Sequence, residues 1–254
     1  MAAIPADKKR DKAMPCLRCV TFDSGGSRLQ GFFFHWSGIT PKPTLLLLHG
    51  IPGSEQNFDI ARAIHRRGWN CLIFHYRGCW GSQGDYSIPG ILDDIEAATS
   101  FLRAQEIVDT GKLAIAGISL GGWAAIAAAS REPLFKCVVP IAPASGLKHD
   151  TSGLRIEDLR EFARHLTGTT AERLRQELCA LAPLVSYSSW LADRRILLIT
   201  AGKDECFPEG LYDDFHKTLP QIEWLKIPRA DHVFLVGRGR LVQNVVAWLV
   251  KSMG

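Results

Sequence analysis

The sequence has no apolar stretch long enough to cross a bilayer. Its longest aliphatic run, Leu45 to Leu48, falls far short of the roughly 20 residues a spanning helix needs. The N-terminus lacks an apolar segment of signal-peptide length and instead carries Lys8, Lys9, Arg10 and Lys12 among Asp7 and Asp11. A soluble, cytoplasmic protein is expected. Charge of one sign is also scarce: 30 basic residues against 26 acidic ones leave +4, and the N-terminal cluster supplies part of that. No element carries a basic stripe, so a nucleic-acid partner is not expected. The seven cysteines are an odd, scattered set, unlike the dense pairs of a disulfide scaffold, and read as reduced thiols. Cys16 and Cys19 form a C-x-x-C, but no second ligand pair follows as zinc would require, so they read as strand thiols and no metal is expected.

What is present is the composition of an ordinary globular chain. Hydrophobic residues make up 46% and charged residues 22% of 254 residues, enough for one large domain with a sizeable core. Residues 1–14 are polar and read as a mobile tail, leaving 15–254 as the domain. Two β-rich runs, 16–22 and 28–36, flank Gly25-Gly26-Ser27 and predict an antiparallel hairpin. The pattern then changes. Thr44 to Leu48, Cys71 to Phe74, Leu113 to Ala116, Cys137 to Ile141 and Ile196 to Thr200 are apolar on both faces, as buried parallel strands are. Amphipathic stretches at 56–67 and 88–106 lie between them. This alternation predicts a doubly wound, mostly parallel α/β sheet with helices on both faces. Residues 146–190 are too long for a loop and form an insertion. Leu159, Phe162, Ala163 and Leu166, then Leu174, Leu178 and Leu181, predict two short helices there, the second with a capping box at Thr169 and Glu172. The insertion reads as a small helical cap.

The segment that carries chemistry is Gly117-Ile118-Ser119-Leu120-Gly121-Gly122, between the strand 113–116 and an Ala-rich helix at 123–130. A serine at such a strand-to-helix corner sits in a strained, exposed turn that only small flanking residues permit. The helix N-terminus behind it favours developing negative charge. A serine nucleophile needs a base held by an acid, in the chain order Ser, acid, His. His232, in the turn after the apolar run 222–227 and before a last helix at 237–252, is the candidate base. Asp204, just beyond the strand 196–200, is the candidate acid, with Glu205 and Asp231 as rivals. Acyl transfer also needs two N–H donors for an oxyanion. The backbone N–H groups of Leu120 and of Ile51, in His49-Gly50-Ile51-Pro52-Gly53, are the candidates, since Pro52 has none.

Taken together, these motifs resemble the α/β-hydrolases of the serine esterase and peptidase type, over residues 16 to 254. Tyr76-Arg77-Gly78-Cys79-Trp80-Gly81-Ser82-Gln83-Gly84 adds to the likeness, being similar to the Arg-Gly-x-Gly-x-Ser loop that shapes the site in that family. The resemblance implies a carboxylic-ester hydrolase working through an acyl-enzyme on Ser119, without metal or organic cofactor. A serine peptidase, amidase or thioesterase acting on small substrates is the alternative, and a catalytically silent binding protein of the same fold is the second. The partner implied is a small-molecule ester or amide. Trp80 and Phe207, with apolar residues of the cap, are expected to line the substrate pocket. Basic residues of the cap are matched by acidic ones, which suggests no charged-substrate preference. Nothing in the pattern specifies an oligomer.

Overall fold

A strand that is apolar on both faces is stable only with helices above and below it, and this requirement organises the chain. The computed structural model describes residues 13–145 and 154–253. The chain runs β1 (Pro15–Ser24), β2 (Ser27–Trp36), β3 (Lys42–Leu48), α1 (Phe58–His65), β4 (Asn70–Phe74), α2 (Ile91–Arg103), β5 (Val108–Ile118), α3 (Leu120–Arg131) and β6 (Phe135–Ile141). The insertion contributes α4 (Ile156–Ala163), α5 (Ala171–Cys179) and a 3₁₀ turn at Leu184–Trp190. Then follow β7 (Arg195–Ala201), α6 (Asp213–Thr218), β8 (Glu223–Ile227) and α7 (Arg238–Met253).

The strands form one 8-stranded sheet in the order β1-β2-β4-β3-β5-β6-β7-β8. β1 and β2 make the expected hairpin and join β4 antiparallel, and every pairing from β4 to β8 is parallel. Side chains of β3 show how the sheet builds its two cores: Leu46 and Leu48 point to one layer, Leu45 and Leu47 to the other. The first layer holds α2, α3 and the cap; the second holds α1 and α7. This is the doubly wound α/β-hydrolase arrangement, and it brings the C-terminal ends of β3, β5, β7 and β8 to one edge. Ligand sites of open α/β sheets form at that edge.

Three local expectations are corrected. β5 starts at Val108 rather than Leu113, because residues 109–112 are polar or small and partly or fully exposed, which hides the strand's start from an apolar-run criterion. The cap of α5 is Thr170, whose hydroxyl accepts the Arg173 N–H at 3.2 Å, one residue past the Thr169 position. The insertion also carries a 3₁₀ turn besides its two helices. Of the tail, residues 1–12 lie outside the described residues. Met14 is already tied down: its N–H donates to the Ser37 hydroxyl and its carbonyl accepts the Ser37 N–H. Cys16 and Cys19 sit three apart in β1, so their side chains leave opposite faces and do not share an ion.

The cap is fastened to the body mainly through backbone. Tyr86 N–H donates to Thr167 O at 2.8 Å, Thr167 N–H to Gly78 O at 2.9 Å, and Ile88 N–H to Glu177 Oε2 at 2.7 Å. Leu159, Leu174 and Leu178 are buried in the same layer as α3. Residues 146–153 of the insertion lie outside the described residues. Among the described residues no helix is long and apolar enough to cross a membrane.

Candidate active site

Ser119 joins β5 to α3 at φ 56° and ψ −123°, a region that non-glycine residues avoid at a cost of about 1–3 kcal/mol. The surrounding backbone holds it there. Ser119 N–H donates to Ile141 O at 2.9 Å, and Ser119 O accepts from Gly122, Trp123 and Ala144. The turn also demands close approach. A Cβ on Gly117 would collide with the Gly121 carbonyl, and one on Gly121 would lie 2.5 Å from His49 O. The two glycines flanking Ser119 are therefore steric requirements.

His232 lies in the loop between β8 and α7. Its Nε2 accepts the Ser119 hydroxyl at 2.9 Å, and its Nδ1 donates to Asp204 Oδ2 at 3.0 Å. Asp204 is set by the turn after β7: its Oδ1 accepts the backbone N–H groups of Cys206 at 2.9 Å and Phe207 at 2.8 Å. The two loops are stitched together where Gly202 N–H donates to Ile227 O and Lys203 N–H to Ala230 O. Only 9% of the His232 side chain and 4% of Asp204 is exposed. The rival carboxylates have other partners: Glu205 accepts the backbone N–H of His232 at 3.1 Å, and Asp231 accepts those of Leu235 and Val236. The structure thus brings together Ser119, Asp204 and His232, in the geometry by which an imidazole takes a hydroxyl proton while a carboxylate fixes its tautomer.

The N–H groups of Leu120, first in α3, and of Ile51 have no acceptor among the described residues, as helix N-termini leave their donors free. Gly50 lies against Ser119, and the Ile51–Pro52 peptide is cis. A cavity of about 240 Å³ opens over Ser119 and His232, lined by Gly50, Ile51, Pro52 and Gly53 from the loop after β3, Ile118, Val233, Glu205 and Cys206, with Leu154 and Phe162 from the cap.

Neither Trp80 nor Phe207, both expected in the pocket, lines this cavity. Trp80 stands at φ 42°, nearly half exposed, with its ring stacked on His165 of the cap and its Nε1 donating to Pro52 O at 2.9 Å. It braces the loop beside the cavity. Phe207 is buried with its ring edge-to-face on the His232 imidazole, centroids 5.1 Å apart, and so packs behind the base. Of the residues that do face the cavity from the cap, Phe162 was part of its apolar pattern, whereas Leu154 precedes that pattern and was not singled out. Which of that pattern's residues face the site depends on how the cap docks.

Two further histidines support the edge from inside. His49 Nδ1 donates to Gly50 O at 2.6 Å, and its ring lies 4.1 Å from that of Tyr76, centroid to centroid. Burial, with the neighbouring His75 charge adding to it, pushes His49 down to about 3, and burial lowers His75 to about 4. Both are neutral in the folded state and take up protons on unfolding anywhere below about 6.5. The unfolded chain then binds more protons, so the stability they confer is complete above that value and is lost as pH falls toward 4. The slope is about 2.7 kcal/mol per pH unit for two protons. Urea unfolding at a series of pH values checks this: between pH 4.5 and 6, His75→Gln lowers the slope by up to about 1.4 kcal/mol per pH unit, the share of one proton. An unchanged slope would mean that His75 is not held neutral.

A doubly wound sheet with a strained serine at the end of its central strand, facing a histidine, is the arrangement of the α/β-hydrolase fold. The sequence pattern of the prolyl oligopeptidase family matches residues 62–254, and the chain belongs to that family. It is 34% identical over 122 residues to protein Rv2307c of Mycobacterium tuberculosis, a match covering 47% of this chain and 43% of that protein. It is 26% identical over 126 residues to acylamino-acid-releasing enzyme 1 of Oryza sativa, covering 41% of this chain and 16% of that one. The chain thus spans less than half the length of these curated relatives. Among solved structures, Est1E from Butyrivibrio proteoclasticus superposes with a TM-score of 0.73 over 92% of this chain and 98% of that one, at 15% identity, a likeness of fold.

Proposed function

We propose that the protein hydrolyses small carboxylic esters through an acyl-enzyme on Ser119. The observation that carries the reading is the unbroken hydrogen-bonded chain Ser119–His232–Asp204, at 2.9 and 3.0 Å, opening into a cavity with apolar walls. Ser119 Oγ attacks the carbonyl carbon while His232 Nε2 takes its proton. The N–H groups of Leu120 and Ile51 receive the oxyanion, and His232 returns the proton to the leaving alcohol. Water then repeats the sequence on the acyl group. Asp204 stays ionised and holds Nδ1–H, so that Nε2 remains the free base. No step calls for a metal or organic cofactor.

The cavity sets the scale of the substrate. At about 240 Å³ it lies below the roughly 300–1,000 Å³ of drug-sized sites and suits a short acyl or alcohol group. Phe162 closes one side of it. Phe162→Ala raises kcat/KM for p-nitrophenyl hexanoate relative to the acetate by about tenfold, because the freed space accepts methylenes at a typical 1–3 kcal/mol. A ratio equal to wild type would remove Phe162 from the substrate wall.

A second reading, hydrolysis of an aminoacyl amide or short peptide, is favoured by one feature: the cavity carries the carboxylates of Glu55 and Glu205 and, among the described residues, no Lys or Arg. Such a wall suits an ammonium group on the acyl side. A p-nitrophenyl ester series run beside free and N-acetylated aminoacyl anilides decides between the two. Faster turnover of simple esters is the expected result, and a preference for free aminoacyl anilides would transfer the assignment to the peptidase reading.

A further inference from the structure

The turn after β7 puts a thiol where ester hydrolysis has no use for one. An oxygen of Asp204, the Sγ of Cys206 and a ring nitrogen of His232 lie within 4.8 Å of one another, the one such group of donors found among the described residues. The nitrogen facing Asp204 is Nδ1, 3.0 Å from Oδ2. Carboxylate, thiolate and imidazole are the donors of Zn²⁺, with bonds of about 2.0–2.3 Å in a tetrahedron. Those lengths place neighbouring donors roughly 3.3–3.6 Å apart, so the Nδ1 to Oδ2 separation widens by a few tenths of an ångström and the Cys206 Sγ, within 4.8 Å of both, closes in by up to about 1.3 Å. Cys206 and His232 both line the cavity, which gives an ion a way in from solvent. The cavity also offers the Glu205 carboxylate or a water as fourth donor.

We propose that Asp204, Cys206 and Nδ1 of His232 form an inhibitory Zn²⁺ site, in which the ion replaces the proton that His232 shares with Asp204. Zn–S, Zn–N and Zn–O bonds form. Cys206 gives its thiol proton to solvent, and the ring proton passes from Nδ1 to Nε2; nothing is oxidised or reduced, and one proton leaves per ion bound. The consequence follows from the tautomer. With Nε2 protonated, the ring has no lone pair for the Ser119 proton, and the base is disabled while serine, imidazole and oxyanion donors stay in place. The loss of activity rests on the function proposed above, whereas the binding of the ion does not.

Two measurements keep these apart. In the first, ester turnover is titrated with Zn²⁺, each variant being read against its own metal-free rate. Wild type is inhibited reversibly and recovers with a chelator, and Cys206→Ala raises the half-inhibiting concentration by about tenfold or more, since a zinc site stripped of its thiolate loses its strongest donor. Cys206→Ser, nearly the same size, repeats the test should the alanine variant not fold. In the second, Ser119→Ala, which needs no activity, is followed by proton NMR. The far-downfield proton between His232 Nδ1 and Asp204 disappears with one equivalent of Zn²⁺, and survives that addition when Cys206→Ala is combined with Ser119→Ala. Equal zinc sensitivity with and without Cys206, no inhibition of wild type, or a downfield proton indifferent to zinc would each overturn the proposal.

Discussion

Replacing Ser119 by alanine lowers ester turnover by about 10⁶-fold, the scale on which triad nucleophiles are lost in hydrolases of this chemistry. The effect falls on catalysis rather than on folding. The Oγ makes its hydrogen bond to His232 at a cavity wall, while the strained backbone at φ 56° is held by Ile141, Gly122, Trp123 and Ala144, whose contacts with residue 119 are all main-chain. The melting temperature therefore stays close to that of wild type. Combining Ser119→Ala with His232→Ala costs about as much as either change alone, because a base without a nucleophile has nothing to deprotonate. Steady-state kinetics of the two single variants and the double variant read this directly; losses that multiply would show that Ser119 and His232 act separately.

Asp204→Asn reduces turnover by about 10⁴-fold. The amide offers His232 Nδ1 either an oxygen, as before, or an N–H that forces the proton onto Nε2. The two backbone donors, Cys206 and Phe207 N–H, already claim an oxygen at the Oδ1 position. The amide nitrogen is thereby directed toward His232, and the wrong tautomer results. Glu205→Gln and Asp231→Asn cost far less, since neither carboxylate bonds the imidazole: glutamine keeps an oxygen for the His232 N–H, and asparagine gives up one of two exposed backbone bonds, to Leu235 or Val236. The ranking of the three variants in kcat/KM is the check, and a larger loss at Asp231 or Glu205 than at Asp204 would reassign the acid.

Most of the architecture was legible because its signals are local. Runs such as Thr44 to Leu48, apolar on both faces, announce strands covered by helices on both sides, and the order strand, Gly-x-Ser-x-Gly, helix leaves little choice for the corner at Ser119. The start of β5 was hidden for the opposite reason: Asp109, Thr110, Gly111 and Lys112 are polar or small and partly or fully exposed, so no apolar run marks the extended backbone there. The pocket was the poorest reading. Trp80 is turned outward by a positive φ that nothing in its sequence neighbourhood demands, and Phe207 is turned inward because its own N–H is committed to Asp204. Phe162 and Leu154 reach the cavity only through the way the cap docks on the loop 76–86, a long-range fit without periodicity. Cys206 was visible only as one of the scattered cysteines, and its nearness to His232 comes from two loops that meet through Gly202 and Lys203.

The account stands on Ser119 as nucleophile, and a fluorophosphonate probe followed by intact and peptide mass spectrometry tests that most directly. The predicted result is one adduct per chain, located on Ser119, formed in step with loss of ester turnover, absent from Ser119→Ala and strongly slowed in His232→Ala. An adduct on a different residue, or turnover that persists in protein fully labelled at Ser119, would contradict it.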